Sequence, residues 1–321
     1  MYDTNPLPNG QIVHGYPNLK TIKKSITALY QHLSSQDIKK FSHGLAPDVV
    51  SIIHNTDLIM AIQRLASAIA QHLKLPGGSI LVTFKSNLQS SGRVELSGRD
   101  GYFVELHSRY QHDCRDIPAI LAHEITHVFL HRAGLGFPDT HDNEILTDTA
   151  AVYLGVGWLC LNAYRRNEWY SESTGGRVNV TTQEEQLGYL TPEEFGYVLG
   201  KRVLVFNETP DKLLTSVAAH LAYKEGYRKA VLDSHQPPLR DCGLGRRSLY
   251  TWRRRYLQSA ASNGDLNGQP SQFEHYRFEV TDTMKVIFEC PVCCQQLRLP
   301  TYRRALRARC SVCTSELSCR T

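Results

Sequence analysis

The stretch Ile120-Leu121-Ala122-His123-Glu124-Ile125-Thr126-His127-Val128-Phe129-Leu130 sets two histidines and a glutamate into an apolar run with helical spacing. Four residues turn a helix by about 400°, so His123 and His127 share one face with their Cβ atoms about 5–6 Å apart. That separation suits two imidazole nitrogens meeting one Zn²⁺. Glu124 is displaced around the helix, within reach of a zinc-bound water whose proton it can take.

The rest of the chain gives this helix a setting. Apolar residues recur near the helical period over 19–34 and over 56–75, as in Leu58, Ile62, Leu65, Ile69 and Leu73. Pro76-Gly77-Gly78 ends the second run. Strand patterns then follow at Ser79 to Phe84, Arg93 to Leu96 and Gly101 to Leu106, the last two joined by a turn at Gly98-Arg99-Asp100-Gly101. Further helices are expected at about 116–133, 142–164, 191–206 and 210–232, the first of them stopped by Gly134 and Gly136. Two helices, a small antiparallel sheet and then mostly helices make an α+β plan.

Beyond His127 the chain reads Asn143-Glu144-Ile145-Leu146-Thr147-Asp148. The pair of motifs, H-E-x-x-H and N-E-x-x-T-D, resembles the gluzincins, the thermolysin-like zinc peptidases, over about residues 117–155. The resemblance implies a zincin-like metallopeptidase domain. It makes Glu144, 17 residues past His127, the third zinc ligand. It also implies that Asp148, one turn further on, bonds the outer nitrogen of His123 and fixes its tautomer. Glu124 would then be the catalytic base of peptide hydrolysis. Two other histidines compete for the ligand role. His131 lies two turns past His123, too far along the axis. His141, in the loop before Glu144, is where a SprT-like zinc peptidase would place a ligand. The family's oxyanion-stabilising Tyr and His cannot be mapped; Tyr153, His220 and Tyr223 are the candidates. The strand 101–107 is expected at the sheet edge beside the cleft, where an extended substrate could add as a strand.

The tail carries a second metal pattern. Cys290-Pro291-Val292-Cys293 and Cys310-Ser311-Val312-Cys313 are two C-x-x-C knuckles separated by 16 residues. That is structural-zinc spacing for four thiolates. With Leu297-Arg298-Leu299-Pro300 after the first knuckle, the segment resembles the rubredoxin-like zinc ribbons. The expected cofactors are therefore two Zn²⁺ ions, one catalytic and one structural. Cys294 and Cys319 are read as bystanders, and Cys114, Cys160 and Cys242 stand apart. A module this small depends on its metal for much of its folding free energy.

The reading divides the chain into a metallopeptidase domain at 1–239, a basic helical extension at 240–258, a polar linker at 259–272 and a zinc ribbon at 273–321. Charge follows that division. Residues 240–255 carry six Arg against one Asp, and residues 285–321 one Lys and six Arg against two Glu. Nucleic acid or an acidic protein is thus the expected partner of the C-terminal quarter, besides a protein substrate. Arg303, Arg304, Arg307 and Arg309 between the knuckles, and Arg246, Arg247, Arg253, Arg254 and Arg255 before the linker, would carry that contact. No apolar run of membrane-spanning length and no secretory layout at the N-terminus leave no membrane role and point to the cytoplasm. The expected activity is a zinc endopeptidase. The rival is a non-catalytic zincin scaffold that binds nucleic acid or protein, which would have no need of Glu124.

Overall fold

The structure is a computed structural model, and it describes residues 12–51, 57–76, 79–96, 101–173, 177–262, 272–273, 275–281, 283–301 and 305–321. The expected turn at 98–101 and most of the 259–272 linker fall largely outside those residues, as do Arg303 and Arg304.

Helix α1 (Leu19–His32) buries Ile22, Ile26 and Leu29, one face at the helical period. After the short α2 (Ser35–Lys39) and α3 (Asp48–Ser51), α4 (Leu58–His72) starts from Asp57, whose carboxylate accepts from the amides of Ile59 and Met60. Strands β1 (Ser79–Lys85), β2 (Gly92–Glu95) and β3 (Gly101–His107) form one sheet in the order β1-β3-β2. This sheet is mixed rather than antiparallel: β1 runs parallel to β3, and β2 antiparallel to it. The strand 101–107 is accordingly the centre of the sheet, and β2 is an edge.

Helix α5 (Ile117–Arg132) is buried on every face from Ile117 to Leu130, the mark of a helix packed on all sides. It lies against β2, β3, α4 and α6 (Thr140–Tyr153). The expected helix over 142–164 breaks after Tyr153, where Gly155 takes a φ of 98°, and α7 (Trp158–Asn162) resumes beyond it. A hairpin of β4 (Arg165–Ser173) and β5 (Arg177–Glu185) follows, which no apolar alternation in the sequence marks. Helix α8 (Pro192–Phe206) opens with a reciprocal capping box between Thr191 and Glu194. It packs against α9 (Val217–Ser234), which starts at Ser216 rather than near 210.

Helix α10 (Leu244–Ser262) runs through the basic segment. The C-terminal β strands are β6 (Gln272–Phe273), β7 (Tyr276–Val280), β8 (Met284–Glu289) and β9 (Gln296–Pro300), in one antiparallel sheet. Strands β10 (Leu306–Arg309) and β11 (Glu316–Cys319) form a hairpin. The whole is α+β, with a four-cysteine cluster near the C-terminus. No helix among the described residues is long and apolar enough to cross a membrane.

Candidate metal centre

Two helices build the first site. One turn of α5 sets His123 Nε2 3.0 Å from His127 Nε2, and α6 brings Glu144 Oε2 to 3.0 Å and 3.1 Å from the two. All three side chains are buried. The outer ring nitrogens settle what the inner ones can do. His123 Nδ1 lies 2.7 Å from Asp148 Oδ1, a pure acceptor when ionised, so Nδ1 carries the proton. His127 Nδ1 lies 3.2 Å from Thr147 Oγ1, whose own hydroxyl donates to the Asn143 carbonyl at 3.0 Å, so this Nδ1 donates too. Both Nε2 lone pairs and a carboxylate oxygen therefore converge on one point. Three buried acceptors face to face repel one another unless a cation lies among them.

Without an ion, a second proton on His123 can supply that positive charge. Burial works against charge on His123, yet Asp148 and Glu144 raise its pKa well above the ordinary imidazole value. Burial lowers the pKa of His127. Burial also pushes the Glu144 carboxyl up, and the two histidines outweigh this and bring it down to about 2. Glu144 Oε1 is buried with no hydrogen bond among the described residues. A tetrahedral Zn²⁺ at about 2.0–2.1 Å from N and O ligands has edges of about 3.3 Å, close to the observed triangle. The donor set fits that ion.

The surroundings hold this geometry. Asp148 Oδ2 accepts the backbone N–H of Tyr189 at 2.6 Å and of Leu190 at 3.4 Å. Gly188, with φ 93°, lets the loop close: a Cβ there would fall 2.7 Å from Asp148 Oδ2. The Tyr189 ring stacks on His123 with centroids 6.3 Å apart, and meets His141 edge-on at 5.9 Å. Glu124 is 0% exposed beside edge strand β2, where a Cβ on Gly92 would come within 3.1 Å of its Oε1.

Sequence reasoning missed Gly92, Gly188 and Tyr189. The capping box at Thr191 marks residues 186–190 as a loop, but nothing local says that the loop closes over Asp148. Of the rival ligands, His131 and His141 are exposed and outside the converging group. Tyr153 is fully buried and bonded to Tyr30 and to the Val292 carbonyl, away from the cluster of acceptors. His220 and Tyr223 lie on α9, which packs on α8.

The second cluster joins Cys290, Cys293, Cys310 and Cys313. Each knuckle is the turn of a hairpin, β8 to β9 and β10 to β11, and the two repeat one pattern. The amides of Cys290 and Cys310 donate to the carbonyls of Gln295 and Ser315 at 2.8 Å and 3.0 Å. Cys294 and Thr314, each following a knuckle, have φ of 62° and 61°. The Cys290–Cys313 and Cys293–Cys310 sulfurs are 3.6 Å and 3.5 Å apart. A disulfide needs about 2.0 Å, whereas tetrahedral Zn–S bonds of about 2.3 Å give S–S edges of about 3.8 Å. The four thiols fit a metal. Cys294 and Cys319 are buried outside the group.

Most of the α10 arginines serve the fold. Arg246 donates to the Leu232 and His235 carbonyls, Arg247 to those of Leu239 and Arg240, Arg253 to the Tyr276 hydroxyl and Arg254 to the Thr321 carbonyl. Arg255, Arg307 and Arg309 are exposed. Comparison with family models, with curated proteins and with solved structures finds no match to the chain.

Proposed function

We propose that this protein is a zinc-dependent endopeptidase of the gluzincin-like zincin type, acting on a protein substrate. One observation carries the proposal: three buried acceptor atoms converge on one point, with the carboxylate of Glu124 on the same helix and a sheet edge beside it. His123, His127 and Glu144 would hold the ion, which when bound acidifies a water and polarises a carbonyl. Glu124 takes the proton of the attacking water on a carboxylate oxygen and passes it to the leaving amine nitrogen. Asp148 keeps the His123 Nδ1 proton in place, and so keeps Nε2 a ligand throughout. Strand β2 offers backbone groups to an extended substrate, and burial of the site limits stray water.

The four cysteines would hold a structural zinc in a ribbon-like module. None of the nine cysteines forms a disulfide, in keeping with four of them being metal ligands. The test is identification of new protein termini in cells of the native host carrying either the parent or Glu124→Gln. Termini that appear with the parent and vanish with the variant support the proposal. Identical sets would move the chain to the class of non-catalytic zincin scaffolds.

A further inference from the structure

The four-cysteine module is seated on the helices that build the histidine site. Three successive carbonyls of its first knuckle each accept a side-chain donor from a different helix. Lys201 of α8 donates to Pro291, Tyr153 of α6 to Val292 at 3.4 Å, and Thr27 of α1 to Cys293 at 2.7 Å. Ser35, at the start of α2, donates to the Cys313 carbonyl at 2.8 Å, and Lys23 of α1 pairs with Glu289 at 2.7 Å.

Each of the same three helices reaches the histidine site at another point. Helix α6 carries Glu144 and Asp148, with Tyr153 nine residues beyond Glu144, or about 13–14 Å along the axis. Helix α1 holds the start of α6, since Thr21 Oγ1 donates to Asp142 at 3.1 Å. Helix α8 begins at Thr191, directly after the two amides that bond Asp148. Lys201 is 2% exposed, and Ser234 Oγ at 3.4 Å is its other hydrogen-bond partner. A buried ammonium that loses the Pro291 carbonyl must find water, which means opening α8.

We propose that occupancy of the four-cysteine site controls the affinity of the histidine site for its metal, through α1, α6 and α8. The knuckles present their carbonyls in this arrangement while the four sulfurs are gathered on an ion, because that ion ties the turn of β8–β9 to the turn of β10–β11. When that ion leaves, Tyr153, Thr27 and Lys201 lose these knuckle acceptors together, with the Tyr30 hydroxyl and the Lys23 carbonyl left to Tyr153 and Thr27, and α6 is loosened at the end opposite Glu144. The histidine site then binds its ion more weakly. The chain thus carries a built-in dependence of its candidate active site on zinc supply or on thiol modification. The inference rests on both clusters binding metal, and is independent of the peptidase reading.

The test uses the full chain loaded with zinc, with competition against a chromophoric chelator and amide hydrogen exchange as readouts. In Cys310→Ser/Cys313→Ser protein, zinc affinity at the histidine site falls at least about tenfold, the size of an ordinary coupling between sites. Exchange in α6 and α1 rises while β1 to β3 stay protected. Should that variant unfold throughout, Tyr153→Phe/Thr27→Val decides, since it keeps both ligand sets and most of the packing volume. It is expected to weaken the histidine site by about threefold or more, with unchanged helix content by circular dichroism. Parental affinity and parental exchange of α6 in a folded variant would overturn the proposal. A parent chain that binds zinc at the cysteines alone would overturn it at an earlier step, by striking the metal reading of the histidine site itself.

Discussion

Replacing Asp148 with Asn changes one buried atom and leaves shape intact, and the structure says what that atom does. The carboxylate accepts three donors, His123 Nδ1–H on Oδ1 and the amides of Tyr189 and Leu190 on Oδ2. An asparagine has one acceptor oxygen and one NH₂. If the oxygen faces His123, its NH₂ confronts two backbone N–H groups; if it faces the loop, the NH₂ confronts the His123 proton. Asp148 is 0% exposed, so water does not relieve either arrangement. One unsatisfied buried donor costs about 1–3 kcal/mol of stability. Losing the partner that orients a ligating histidine costs about 10–100-fold in metal affinity. Urea unfolding of the metal-free chain reads the first effect, and zinc competition with a chelator reads the second. A variant with parental affinity and parental stability would refute the assignment of Asp148 as the group that fixes His123.

Glu144→Ala should empty the histidine site, whereas His131→Ala and His141→Ala should leave its zinc in place; a metal lost on His141→Ala and kept on Glu144→Ala would favour the SprT-like ligand set. Gly188→Ala should weaken zinc binding, because a Cβ at φ 93° would meet Asp148 Oδ2 at 2.7 Å, and an unchanged chelator titration would contradict that. Burial pushes the Asp233 carboxyl up, but Lys23 and Lys229 hold its folded pKa below the ordinary value of 3.8. Its stabilising contribution is therefore present above the unfolded value and lost as pH falls through the folded one. Acid unfolding of Asp233→Asn should show a shallower pH dependence below about pH 4 than the parent. Six described arginines of the two basic segments are exposed, Arg240, Arg255, Arg298, Arg307, Arg309 and Arg320, so duplex-DNA binding in which all six contact phosphate should fall with salt at a log–log slope of about −5. A slope near zero would mean that this surface does not contact phosphate.

What the sequence made legible was local. The i, i+4 pair on α5 depends only on helix geometry, and the spacing of the knuckle cysteines depends only on hairpin geometry. Glu144 and Asp148 could be found because their helix repeats a known motif. The rest depends on contacts between distant segments. The β1–β3 pairing is parallel, with β2 between the two in sequence, and no alternation pattern encodes that direction. Hairpin β4–β5 is mostly polar, so its strands lack the apolar alternation that marks a half-buried sheet. The break after α6 needed Gly155 to be read as a stop inside an otherwise continuous helical pattern. Tyr153 looked like a candidate for the active site because it is an aromatic on the α6 face, yet its hydroxyl points to the knuckle. Basic residues on α10 looked like a binding face, and most turned out to bond carbonyls at the junction of the helices and the C-terminal strands.

Anomalous diffraction at the zinc edge from crystals of the zinc-loaded chain tests directly for one ion among His123, His127 and Glu144. The expected map holds a peak about 2.0–2.2 Å from both Nε2 atoms and from a Glu144 oxygen, with Glu124 unbonded, and a second peak amid the four sulfurs. A peak ligated by Glu124 or His141 in place of Glu144, or no peak between α5 and α6, would contradict it.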